Sequence, residues 1–367
     1  MKKSMTLGTL TCLTSIAIAY PSVASRINEH YFLKPSTTTL IAQNQLRVQY
    51  IKSLDVADNK FFLHPNGQFL ATLGNRLTVY DLQSDKVLHQ VPNTQLGSLA
   101  SQSSLGTAAI SPDWKTMAVN SVLGPLDIYK PETGERLYQM ASIVRERNAL
   151  VYGGKKSGQT FLAGQQDGDI QVIDASKGKI LGLIKYGNTP VVEIVLDDNE
   201  NRFLAVRYGV GGTIAVWDLL KGKKPFLLLP YGRDSDRGNS GVIGLSHSAI
   251  SLSSDGSLLA VGFGNSDVIR VHSVKSGKIL YEMPSLEGSG RIGVRSLRFS
   301  PDNRYLVSGH ILGGFRLWDV RNQKLIYRFH GKTGSFADTV SQIEFNKGGN
   351  LLFTRNDLGI DIWKLLN

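Results

Sequence analysis

The 367-residue sequence predicts an all-β fold: a seven-bladed β-propeller of four-stranded antiparallel blades, closed by the N-terminal strand pairing into the last blade. Three observations carry that expectation. A run of four β-type segments recurs with a spacing in the forties, the mark of small sheets repeated about an axis. A bulky residue recurs in the third segment of each copy, at Tyr80, Tyr129, Ile173, Trp217, His272, Trp318 and Trp363, with intervals of 49, 44, 44, 55, 46 and 45. The last copy ends after its third segment, whereas an orphan segment, Leu46–Lys52, precedes the first.

Composition limits the classes. Hydrophobic residues make up 41% and charged residues 19%, with mean hydropathy −0.10, which excludes wholesale disorder. One cysteine excludes a disulfide framework and a multi-thiolate zinc site. The 38 glycines and 12 prolines follow no triplet period, which excludes collagen.

The N-terminus has the three-part layout of a secretory signal peptide: Lys2 and Lys3, an apolar stretch over 5–19, then Ser22 and Ala24 at signal-peptidase spacing. The apolar stretch is shorter than the roughly 20 residues a spanning helix needs. Cleavage is expected after Ala24, with Ala17 and Ala19 as a second place, and an uncleaved anchor is the alternative. Cys12 follows Thr11, where a lipoprotein signal needs a small residue, so lipidation is not expected. The reading is 1–24 signal peptide, 25–45 polar linker and 46–367 propeller, in an exported protein with no transmembrane segment after cleavage. Loss of the signal removes two lysines and no acid from the net charge of +11.

Within the propeller the second strands align as 69–75, 116–122, 160–166, 203–209, 258–264, 305–311 and 351–357. Each small sheet is apolar on both faces and needs a neighbour on either side. The orphan segment alternates and is rich in β-branched and aromatic residues, so it is expected to serve as the outer strand of the final sheet.

Trp217-Asp218 and Trp318-Asp319, with Tyr80-Asp81 and Ile173-Asp174 behind them, resemble the repeats of the WD-repeat family. The likeness covers roughly 46–367 and rests on seven registered copies. The family's Gly-His pair at the start of each unit is missing, and Gly309-His310 sits elsewhere. The family's Asp-His-Ser-Trp hydrogen-bond network is therefore not carried over. The resemblance implies a non-enzymatic ring that binds proteins or peptides on its upper face.

Loop type alone places Arg76, Arg145, Arg147, Tyr208, Arg233, Arg237, Phe263, Arg291 and Phe315 on that face as candidate partner contacts. The largest interior insertion, 231–240, carries Asp234 and Asp236 between Arg233 and Arg237. Local ion pairs are expected there rather than a calcium loop. The turns between third and fourth strands gather Lys86, Lys177, Lys179, Lys221, Lys223, Lys224, Lys275, Lys278 and Lys324 on the opposite face. That is either a surface for anionic partners such as an envelope lipid or glycan, or ordinary soluble turn composition.

No catalytic residue, metal site or cofactor is expected. The seven histidines show no metal-ligand spacing, His272 reads as a packed residue and His64 as a turn residue. The glycine pairs at Gly262-Gly264 and Gly209-Gly212 join β-segments, not a strand to a helix, so they cradle no phosphate. Charge without interleaved aromatics argues against nucleic acid. The chain is expected to be a monomer. The rival readings are a propeller enzyme of lactonase or hydrolase type, with a central-channel site, and a basic-faced envelope-surface binder.

Overall fold

In the computed structural model the described residues are 46–56, 60–74, 76–92, 105–121, 126–140, 149–153, 160–198, 202–209, 212–222, 224–229, 247–264, 266–283 and 293–366. The expected signal segment and linker lie outside them. They form seven antiparallel four-stranded sheets. From the inner strand outward, blade 1 is Lys60–Leu63, Phe69–Leu73, Arg76–Asp81 and Lys86–Pro92. Blades 2 to 6 repeat the order and begin at Leu105, Ala149, Val191, His247 and Val294. Blade 7 takes Gln342–Phe345, Leu351–Asn356 and Gly359–Leu366 from one end of the chain and Arg47–Leu54 from the other. The ring therefore closes as the sequence indicates, through Arg47↔Leu366 to Leu54↔Ile360.

The register of the repeat is equally plain. Tyr80, Tyr129, Ile173, Trp217, His272, Trp318 and Trp363 stand opposite Leu70, Met117, Phe161, Leu204, Leu259, Leu306 and Leu352. All seven third-strand residues except Tyr80 are buried. The core is seven separate clusters, each shared by two adjacent blades, the last joining Phe353, Ile360 and Ile362 of blade 7 to Phe61 and Leu70 of blade 1. At about 1.5–3 kcal/mol for each fully buried large aliphatic side chain, stability comes from stacking neighbours and not from any single sheet.

Turn chemistry repeats as well. In the first turns of blades 2, 5 and 6, Ser111, Ser253 and Ser300 donate to Asp113, Asp255 and Asp302 at 2.7, 2.6 and 2.6 Å. Each serine Oγ also accepts the N–H of Thr116, Leu258 or Tyr305 as the next strand starts. In blade 1 the His64 ring takes this place, its Nδ1 accepting from Asn66 N at 3.1 Å. His272 is 7% exposed, with Nδ1 3.1 Å from the Gly277 carbonyl oxygen, a packed residue as expected.

Candidate functional site

Antiparallel alternation decides which loops share a face. Second-to-third-strand turns and blade-to-blade connections lie on the upper face; first-to-second and third-to-fourth turns lie on the lower one. The sequence-derived contact residues divide accordingly. Arg76 is exposed at the start of its strand, its Nη1 donating to Gln90 Oε1 at 3.2 Å. Arg145, Arg147, Arg233, Arg237, Arg291, Lys223, Asp234 and Asp236 lie outside the described residues.

The three aromatic candidates require correction, because all are buried between blades. Tyr208 packs on Tyr186 at 4.9 Å and Trp217 at 6.4 Å. Phe263 lies under the Arg270 guanidinium at 5.3 Å. Phe315 is 5.0 Å from Trp363 and 5.8 Å from Tyr327 and Phe329. Loop type placed them at the right end of the strands. The interface between adjacent blades, which runs to that end, absorbs their area, so a partner meets none of it.

The exposed apolar group of the upper face is a different one. Phe336 is 70% exposed in the connection from blade 6 to blade 7, beside Leu358 at 40% in the upper turn of blade 7. The two segments are tied by Asp357 N donating to the Ala337 carbonyl at 3.1 Å. Beneath Phe336 the buried Asp338 carboxylate accepts from Lys332 N, Thr333 N and Gly334 N at 2.7, 2.7 and 2.6 Å, and from the Thr333 hydroxyl at 2.9 Å. Burial alone would raise its pKa, but these bonds to the charged form prevail and hold it below the usual carboxylate range. Ser335 and Asp338 form a reciprocal capping box around the short 3₁₀ turn Phe336–Asp338. Lys332 then reaches Asp361 at 2.6 Å and Ser53 at 2.8 Å, anchoring the connection to the closing sheet. The Ser335-x-x-Asp338 spacing was the sequence signal for this turn.

Sequence reasoning also missed the polarity of the central channel. A cavity of about 690 Å³ is lined by Lys60, Glu193, Arg295, Arg298, Gln342, Glu344 and Arg355, among others. It shares Pro112, Asp198, Arg298 and Glu344 with a second cavity of about 750 Å³ that also meets Phe62, Trp114 and Pro301. Most of the charge is paired within the wall. Arg298 bridges Glu344 at 3.3 Å and Asp198 at 3.9 Å, and Arg207 holds Glu193 at 3.0 Å. Lys60 donates to the Ala108 carbonyl at 2.9 Å, and desolvation lowers its amine to a pKa of about 8 against the opposing pull of Glu344. Burial raises the Glu193 carboxyl despite Arg207. Among the described residues no cluster of three or more His, Cys, Asp or Glu side chains could hold a metal ion.

Blade 6 corrects one further expectation. Trp318 Nε1 donates to Ser308 Oγ at 2.9 Å, and that oxygen is 2.8 Å from His310 Nε2, all three residues buried. A Trp-Ser-His chain is thus present, with its histidine supplied from the second strand and not from a Gly-His pair at the start of the unit. Blade 7 keeps only the first link, Trp363 Nε1 to Thr354 Oγ1 at 3.0 Å.

Comparison with known proteins fits this geometry. Residues 281–319, running from the end of the blade 5 outer strand through the first three strands of blade 6, match the WD domain, G-beta repeat family. The chain is 48% identical over 82 residues to Autophagy-related protein 18 of Meyerozyma guilliermondii, covering 22% of this chain and 14% of that protein. It is 30% identical over 94 residues to Pre-mRNA-processing factor 19 of Oryza sativa subsp. japonica, covering 26% and 17%. It is 29% identical over 218 residues to the U3 small nucleolar RNA-associated protein 21 homolog of Schizosaccharomyces pombe, covering 57% and 21%. The matches thus span about a fifth or less of those relatives' lengths. Together with the seven-sheet ring, the family match supports a propeller of WD-repeat type.

Proposed function

We propose that this chain is an exported, non-enzymatic scaffold, a monomer that binds a protein or peptide partner on its upper face, with Phe336 as anchor. The observation that carries the reading is an aromatic ring 70% exposed on a turn fixed by a buried carboxylate. A pre-ordered aromatic loses little conformational entropy on binding and suits the centre of a hot spot. The likeness to WD-repeat proteins supports protein interaction as the class of function, and the layout of residues 1–24 supports export. The charges of the channel wall bridge one another, which favours a role in holding the inner strands together over one in catalysis.

The test is affinity capture from the envelope fraction with the full chain, in parallel with Phe336→Ala. Loss of an anchor of this kind costs about 2 kcal/mol, roughly thirtyfold in affinity. Phe336 is mostly in solvent, so the variant should melt with the parent. Equal recovery of every bound protein by both chains would remove Phe336 from the reading. A parallel Arg233→Ala/Arg237→Ala chain asks the same of the insertion at 231–240.

A further inference from the structure

Among the described residues, ten of the twelve exposed large apolar side chains belong to outer strands or the turns leading into them. The placement is systematic. In six blades the outer strand carries a β-bulge at the same point, and the residue left out of register is Ile51, Leu88, Leu137, Leu181, Leu280 or Ile326. A bulge spoils an edge for pairing with another strand. It does not require the bulged residue to be aliphatic, yet each one is.

Over blades 3 to 5 this rim acquires a second property. Leu181, Leu220, Phe226, Leu228, Ile279 and Leu280 are 46–76% exposed. Each lies within a few residues of an exposed lysine in the lower turns: Lys177 and Lys179, Lys221 and Lys224, Lys275 and Lys278. The carboxylates of these turns are committed. Asp174 caps its own turn by accepting from Ser176 N and Lys177 N, and Asp218 is held by Arg202 at 2.7 Å with Lys221 farther off at 3.7 Å. The strip is continuous between blades 4 and 5, because a Cβ at Gly277 of the blade 5 turn would stand 2.4 Å from Leu227 Cδ1 of the blade 4 outer strand.

We propose that the lower rim of blades 3 to 5 docks this protein onto an anionic lipid surface. Lysines on one side of a row of exposed aliphatic and aromatic residues are the pattern of an interfacial membrane contact: the cations meet headgroups while the apolar groups enter the boundary below them. Geometry selects this occupant. The turns all lie on the lower face of a ring, so one flat surface can meet them together. A second copy placed on the same strip would set lysine against lysine. The strip is on the face opposite Phe336, so this proposal and the partner-binding reading fail independently.

The experiment places an indole at the rim with Phe226→Trp in the full chain. The native tryptophans are at most 5% exposed, so the new one reports on the lipid contact alone. The probes are vesicles of phosphatidylcholine and vesicles of phosphatidylcholine mixed with phosphatidylglycerol, each with and without brominated acyl chains. The apolar stretch 5–19 is common to every arm, and the readout is local to the rim. The expected result is a blue shift and bromine quenching of the indole on the mixed vesicles only, weakening as salt rises. Adding Lys224→Gln, Lys275→Gln and Lys278→Gln should lower the docked population about a hundredfold, at about fivefold per lysine. The proposal is overturned if the indole behaves alike on both vesicle types or keeps its quenching without the three lysines. It is equally overturned if the shift arises without lipid, with rising protein concentration, which would make the occupant a second copy.

Discussion

Replacing Tyr50 by alanine tests whether the chain's two ends lock the ring. The ring of Tyr50 stands edge-on to Trp363, 5.2 Å between centroids and 69° between planes. Lys332 Nζ lies 5.8 Å from its centroid, and its hydroxyl is 2.8 Å from Ser53 Oγ. Truncating a fully buried large aromatic costs about 3–5 kcal/mol; Tyr50 is half-buried, which leaves about 2. The lost aromatic pair adds about 1 kcal/mol, for roughly 2–3 in all. With a urea slope of about 3 kcal/mol/M, the unfolding midpoint should fall by about 0.7–1 M. Val87→Ala is the control: it also sits on an outer strand, is 46% exposed, and should shift stability by no more than about 0.5 kcal/mol. The assay is equilibrium unfolding by tryptophan emission, to which Trp363 contributes together with Trp114, Trp217 and Trp318. Coincident curves for the two variants would refute the closure argument, since the N-terminal strand would then contribute no more than any exposed rim residue.

Ser308→Ala should destabilise by about 2–4 kcal/mol, because Trp318 Nε1 and the facing His310 nitrogen each lose a buried partner, at about 1–3 kcal/mol apiece. Thermal denaturation checks this, and a change under 1 kcal/mol would show that the chain of bonds is incidental. Asp338→Asn should loosen the Phe336 turn by about 2 kcal/mol, read as faster hydrogen exchange over 332–338 with the rest of the ring unchanged. The Asp338 pKa is depressed in the folded state, so its stabilisation is complete above the unfolded carboxylate value near 4 and is lost as pH falls through the lower folded value. Protection in that segment, taken relative to the intrinsic exchange rate at each pH, should therefore be lost only in acid, below about pH 4, and a loss beginning near neutrality would assign the turn's stability to another group.

The ring was legible because its signals are periodic. Seven copies of one bulky third-strand residue fix the count of blades, the register and the lower turns, even where the residue is Ile173 or His272 instead of Trp. Sites are not periodic, and legibility fell off there for a physical reason. Loop type tells which end of a strand a residue occupies but not whether it points into a neighbouring blade, so Arg76 came out exposed and Tyr208, Phe263 and Phe315 did not. Phe336 was hidden in the opposite way. It lies in a polar connection, and its exposure depends on Asp338, whose partners are mostly backbone N–H groups that no composition reveals.

The channel was illegible for a related reason, and one position explains its character. Opposite the inner residues Ala149, Ala249 and Ser296 stand Gly164, Gly262 and Gly309. A Cβ at those glycines would meet Val191 Cγ1 at 2.2 Å, Val294 Cγ1 at 2.5 Å and Val340 Cγ1 at 2.7 Å, the valines leading into the next blade. Backbone there is pressed against the neighbour, so the inner residue beside it stays small. Where the same position is not glycine, the inner residue changes with it. Arg207 stands opposite Glu193, Arg355 opposite Gln342, and Leu73 opposite Lys60. Arg207 binds its partner directly, Arg355 reaches Ser341 at 2.5 Å, and Gln342 spans to the Phe61 backbone of blade 1 at 2.7 and 3.1 Å. In blades 3, 5 and 6 the junction is thus closed by glycine against valine, whereas in blades 1, 4 and 7 long polar side chains stand at the axis. The second solution brings Lys60, Glu193 and Gln342 to the channel, and blade 6 adds Arg295 and Arg298 from an inner strand whose junction is closed by Gly309 against Val340.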